Sequence, residues 1–238
     1  MRFSWKTIAA LVLAAGVLPL HGVAQDAVKA GAASSGAAAQ MRFTYDNAQF
    51  DPVHYVIVVD ENGRGHYRSQ PLVKAPDPTS AEMPSQAHDM DIVVSPEAVE
   101  YLFAAARKRK FFAMQCEDGK GKVAFQGNKE LAYQGPDGKG GCAYNWSSDD
   151  EIARVTRIFQ GMSLSIEAGC RLAMEHRHDP LALDQELDEL VTDYKAGRAA
   201  EIGIIAKELE AIAADDSVMD RARSRAAMLL RAPARVVE

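Results

Sequence analysis

The chain has 238 residues, with 27 Lys and Arg against 33 Asp and Glu, a formal balance of −6. Hydrophobic residues make up 47% and charged residues 25%, the mix of a soluble globular protein, which excludes wholesale disorder, a collagen-like fibre and a multi-span membrane protein. Three cysteines are too few for a disulfide-dense scaffold, and a net acidic chain lacks the basic footprint of a nucleic-acid binder.

The first 24 residues have the layout of a secretory signal peptide. Arg2 and Lys6 form a basic start, Thr7 to Leu20 is apolar, and small residues at Gly22 and Ala24 fit a cut after Ala24. The apolar stretch is too short for a stable membrane span, so the mature chain is expected to be exported, to the periplasm or beyond the cell, without one. Residues 25–40 (QDAVKAGAASSGAAAQ) have almost nothing to bury and read as a flexible leader.

Structure is expected from Met41, with Met41 to Tyr45 as a short alternating strand. His54 to Asp60 (HYVIVVD) is β-branched on both faces, as a central strand requires. Asn62-Gly63 suits a type I′ turn returning the chain as a hairpin partner over Gly65 to Ser69. Pro71 to Asp89, with three further prolines, is a long surface excursion, and Asp91 to Val94 another strand. Ser95-Pro96-Glu97 then opens a helix carrying Val99, Leu102, Phe103 and Ala106 and closing in Arg107 to Lys110. The segments FFAMQC, KVAFQ, ELAYQ and CAYNW, parted by turn-forming EDGKG, GN and GPDGKGG, read as a meander of short strands between Phe111 and Trp146.

From Ser148 the pattern turns helical. Ser148 to Glu151 forms a capping box, with Ile152, Val155, Phe159 and Met162 as one apolar stripe and Gly161 as a point of kinking or division. Three more helices follow: one opened by Asp179-Pro180 with Leu183, Leu187 and Leu190, one with Ile202, Ile205 and Leu209, and one starting near Ser217. The expected fold class is therefore α+β: an antiparallel sheet with one packed helix over residues 41–147, a helical segment of about four helices over 148–231, and a tail at 232–238.

Cys116 and Cys142, at the two ends of the meander, are a natural disulfide in an oxidising compartment. Cys170, on a helix beside Ile166 and Ala173, reads as a small buried hydrophobe. Glu175 to Asp179 is the densest group of metal-type side chains, with His176, His178 and Asp179 as weak candidates. Histidines at i and i+2 do not share a helix face, so no metal and no cofactor is assigned. The glycine-rich turns match no phosphate loop, and no nucleophile motif, zinc motif or dinucleotide fingerprint occurs. Phe125, Tyr133, Tyr144 and Trp146, on adjacent expected strands, are a candidate aromatic platform. The reading is a non-catalytic exported module for binding or assembly, its partner an unknown protein or cell-envelope polymer and not nucleic acid. The alternative is an exported hydrolase using carboxylates the sequence does not single out. A cleft lined by two carboxylates with raised pKa values would favour the enzyme, an exposed apolar groove the binding module.

Overall fold

The computed structural model describes residues 38–73, 86–117 and 123–233. The signal peptide, the leader up to residue 37, most of the proline-rich excursion, the EDGKG turn from residue 118 and the tail from residue 234 lie outside the described residues. The leader ends earlier than expected, since Ala39 is buried and Gln40 opens the first strand. Six strands form one antiparallel sheet: β1 (Gln40–Asp46), β2 (His54–Asp60), β3 (Arg64–Gln70), β4 (Asp89–Val93), β5 (Asn128–Gly135) and β6 (Gly138–Tyr144). Their order is β4-β3-β2-β1-β5-β6, so the first strand of the chain lies near the middle, paired on one side with β2 and on the other with β5. The helices are α1 (Pro96–Lys108), α2 (Asp150–His178), α3 (Leu183–Lys195), α4 (Ala206–Ala214) and α5 (Asp220–Leu230). The fold is α+β, with the helical segment at the C-terminal end. Among the described residues no helix is long and apolar enough to cross a membrane.

One face of the sheet is dry. Met41, Phe43, Ile57, Val59, Tyr67 and Leu131 alternate inward along their strands and are fully buried under α1 and the first half of α2. Phe43 stacks on Phe159 of α2 with ring centroids 5.1 Å apart. The second half of α2 contributes Ala168 and Leu172 to another apolar cluster, with Leu183, Leu187 and Leu190 of α3, Leu209 and Ile212 of α4, and Leu229 of α5. One unbroken helix of 29 residues thus carries both cores.

Five local expectations change. The segments FFAMQC and KVAFQ are not strands. Lys110, Phe111 and Phe112 take positive φ angles (51°, 58° and 64°) in a tight turn that buries Phe112 and stacks Phe111 on Tyr133. The meander is therefore the single hairpin β5–β6. At the β2–β3 turn Gly63 alone takes a positive φ, 78°, so the turn is not type I′. The Asp60 carboxylate holds it, accepting from the Asn62 and Arg64 amides at 2.8 and 3.0 Å. Asp149, not Ser148, caps α2, accepting from the Glu151 and Ile152 amides. Glu151 is drawn away from any capping box by Tyr101 and Lys108 of α1. Gly161 neither kinks nor divides α2; its missing side chain admits the backbone at Ala200, whose amide donates to the Gly161 carbonyl at 3.2 Å. The third helical stripe starts as a 3₁₀ turn, Ile202–Ile205, before α4.

Candidate functional site

Among the described residues no helix packs a core onto the other face of the sheet, and its composition follows from strand alternation. Tyr45, Tyr55, Ser69 and Lys129 point into the buried side. Their neighbours Asp46, His54, Gln70 and Asn128 therefore project from the opposite face. The register aligns these four across consecutive strands: His54 is opposite Gln70 and Asp46, and Asp46 is opposite Asn128. The result is a row of polar side chains along one end of the open face. It lines a shallow cleft of about 610 Å³ to which Val53 and Phe125 also contribute. His54 Nδ1 and Asp46 Oδ1 are 2.6 Å apart within the row.

Both rims are fixed by the backbone. On one side the β1–β2 loop is closed by the Asn47 amide on the Val53 carbonyl (2.8 Å) and the Val53 amide on the Gln70 carbonyl (3.0 Å). The Asn47 side chain accepts from the Gln49 amide and donates to the Tyr45 hydroxyl. On the other side Phe125, 58% exposed, stands on the non-strand segment before β5. That segment rests on a buried cation. Lys129 Nζ donates to the carbonyls of Gln126 (3.1 Å), Gly127 (3.0 Å) and Asn145 (2.7 Å) and lies 5.7 Å from the Tyr45 ring centroid. Burial lowers the Lys129 pKa to about 8, against the opposing charge of Glu117. Gly127 adopts φ 95° against the face of Tyr45, where any Cβ would collide with the ring.

Of the four aromatic residues singled out in the sequence, Phe125 alone is exposed. Tyr133 is 2% exposed, between Phe111 and Phe103, with its hydroxyl on Asp137 at 2.5 Å. Tyr144 is 5% exposed and bonds Thr156 of α2. Trp146 is half-buried. The strand parity that puts Leu131 inward takes Tyr133 with it, so these rings belong to the core and make no surface platform. His176 is enclosed by carboxylates from elsewhere in the helical segment, Glu208 Oε1 at 3.1 Å from Nδ1 and Asp215 Oδ2 at 3.0 Å from Nε2. His178 and Asp179 are exposed at the end of α2. These three do not converge, and no group of metal-type side chains able to hold an ion occurs among the described residues.

Among the described residues two carboxylates have raised pKa values, and they do not share a cleft. Burial pushes Glu175 of α2 up to about 7, reinforced by Glu186, Asp179 and Glu189 and opposed by Arg171. Burial also raises Glu201, which instead lines a groove beside α1 with Ser95. The Cys116–Cys142 bridge is formed, with Cα atoms 5.9 Å apart, tying the loop before β5 to strand β6. Cys170 is free, and burial raises its thiol to about 11. No family model matches the chain, and no curated protein is significantly similar to it.

Proposed function

We propose that the protein is an exported, non-catalytic binding module that holds a strand of cell-envelope glycan across the open end of its sheet. The observation that carries this reading is the registered row Gln70–His54–Asp46–Asn128 with Phe125 exposed at its rim. Adjacent strands place such side chains about 4.8 Å apart. Amide, carboxylate and imidazole groups supply donors and acceptors in fixed planes, the pairing that neighbouring sugar hydroxyls require. An exposed aromatic ring offers an apolar face to the C–H side of a pyranose. A few oriented polar groups in an otherwise preformed depression is the usual make-up of a small-ligand site. The disulfide agrees with an oxidising compartment, and the basic, apolar and small-residue layout of residues 1–24 with export. Separation of the raised carboxylates Glu175 and Glu201 speaks for binding rather than carboxylate-pair hydrolysis.

Titration of the ¹⁵N-labelled protein with chitotetraose tests the reading. Amide shifts are expected at Asp46, His54, Gln70 and Asn128 and to saturate together. Phe125→Ala should weaken binding about 2- to 10-fold, the worth of one stacking contact, and Phe125→Tyr should not. Shifts scattered away from this row, none at all, or an affinity indifferent to Phe125→Ala would sink it.

A further inference from the structure

A second depression lies on the far side of the molecule's architecture, where the β4–α1 corner meets the C-terminal helices. Its volume is about 320 Å³, and its walls are largely apolar: Val94, Pro96, Ile202, Leu229 and Leu230. One carboxylate lines it. Glu201 is only 4% exposed, and its oxygens accept from the Ser95 amide at 2.7 Å and the Ser95 hydroxyl at 2.9 Å. Among the described residues no Lys, Arg or His lies within 4 Å of it. A carboxylate offers roughly four acceptor positions, and Ser95 occupies two of them. The other two are left for the groove.

Three features single out this place from ordinary helix capping. The Glu201 backbone sits at φ 55°, ψ 44°, a left-handed conformation that costs a bulky residue free energy and recurs at ligand clamps. Gly203, two residues on, also lines the groove, and nothing stands within 4 Å of where its side chain would begin. Glu97, in the first turn of α1, adds a second negative charge acting on Glu201.

We propose that this groove is a binding site for an alkylammonium group, the lysine side chain of a protein partner, whose methylene stem lies along Ile202, Leu229 and Pro96 and whose ammonium meets Glu201. Charge complementarity selects the occupant. Taking an ammonium out of water costs several kcal/mol, which a hydrogen-bonded counter-charge already buried in the fold offsets, and Glu201 gains a cation that no described residue supplies. A purely apolar segment would seal Glu201 away from water with no counter-charge, and an anionic one would be repelled by Glu201, with the charge of Glu97 adding to the repulsion. The lysine stem suits the long apolar walls, which a compact cation would not touch.

The test uses n-hexylammonium and n-hexanoate as matched probes on the full mature chain. Hexylammonium should shift the amides of Ser95, Ile202, Gly203 and Leu229 saturably. Hexanoate should bind about 10- to 100-fold more weakly, the worth of a hydrogen bond to a charged group. Gly203 lines the groove and has room for a Cβ, so Gly203→Trp is expected to obstruct the groove and should abolish the response while leaving amides of the sheet in place. Glu201→Gln should reduce the preference for the ammonium. Equal response to both probes overturns the proposal, as does a response that survives Gly203→Trp. Groove shifts that follow protein concentration instead of probe would assign the site to a second copy of the chain. Groove shifts produced by Arg235→Ala alone would assign it to the chain's own tail, and either result overturns an external lysine.

Discussion

Replacing Gly161 by alanine separates two accounts of a glycine in the middle of a long helix. If Gly161 were only a weak point in α2, alanine would stabilise the helix by about 1 kcal/mol through propensity alone. The packing predicts the opposite sign. A Cβ at position 161 would lie 2.8 Å from the Ala200 Cβ, 2.9 Å from the Arg198 carbonyl oxygen and 3.0 Å from the Ala200 nitrogen. Unstrained carbon contacts begin near 3.5 Å, so residues 198–200 must retreat. Overpacking of this kind costs about 1–3 kcal/mol, and the Ala200 amide loses its bond to the Gly161 carbonyl, worth about 1 kcal/mol. Set against the propensity gain, the net loss is about 1–3 kcal/mol. For a chain of this size that lowers Tm by roughly 2–12 °C. Urea denaturation with a check that the m-value is unchanged measures it. Gly203→Ala is the control, since nothing stands within 4 Å of its Cβ; stability there should hold or rise by up to about 1 kcal/mol. A Gly161→Ala variant more stable than the parent would refute the close approach of Ala200 to α2.

Non-reducing peptide mapping of protein purified from an oxidising compartment should join the Cys116 and Cys142 peptides and leave Cys170 alone to be alkylated. With the bridge closing 26 residues of sequence separation, reduction should cost about 3.5 kcal/mol by chain entropy. Stability should also fall as pH rises from about 4.5 through about 7, because Glu175 binds its proton more tightly folded than unfolded and the fold loses that preference as the carboxyl ionises. Urea midpoints at pH 5 and pH 8 measure this, and Glu175→Gln should show a smaller difference between them; an unchanged difference would contradict the burial of that carboxyl.

Local signals carried much of the fold. The alternation in β1, the β-branched run of β2 and the Ser95-Pro96-Glu97 start of α1 each act within a few residues, and each element formed where those residues stand. The stripe of Ile152, Val155 and Phe159 likewise marked a helix whose apolar face must be covered, and the sheet covers it. The segments between Phe111 and Gly127 misled for a physical reason. Aromatic content signals a half-buried surface, which a strand or a tightly packed loop provides equally well. What decides between them is three left-handed residues at 110–112 and a buried lysine at 129 whose ammonium replaces ladder partners with carbonyl acceptors. Neither is visible as a pattern.

The polar row was out of reach for a different reason. That Asp46, His54, Gln70 and Asn128 face away from the core follows from alternation in each strand separately. That they face each other requires β1 to pair with β5, some eighty residues downstream and past a helix. A slip of one residue in that pairing would bring Lys129 to the open face and drop Asn128 into the core. The inward residues of β5 oppose the slip: Leu131 and Tyr133 would be turned out of the core, and Lys129 would leave its place against the Tyr45 ring of β1. Lys129 also holds up the segment bearing Phe125, through the Gln126 and Gly127 carbonyls. The inward side chains of β5 therefore align the row, and the buried lysine, which resembles no binding motif, sets the aromatic ring at its edge.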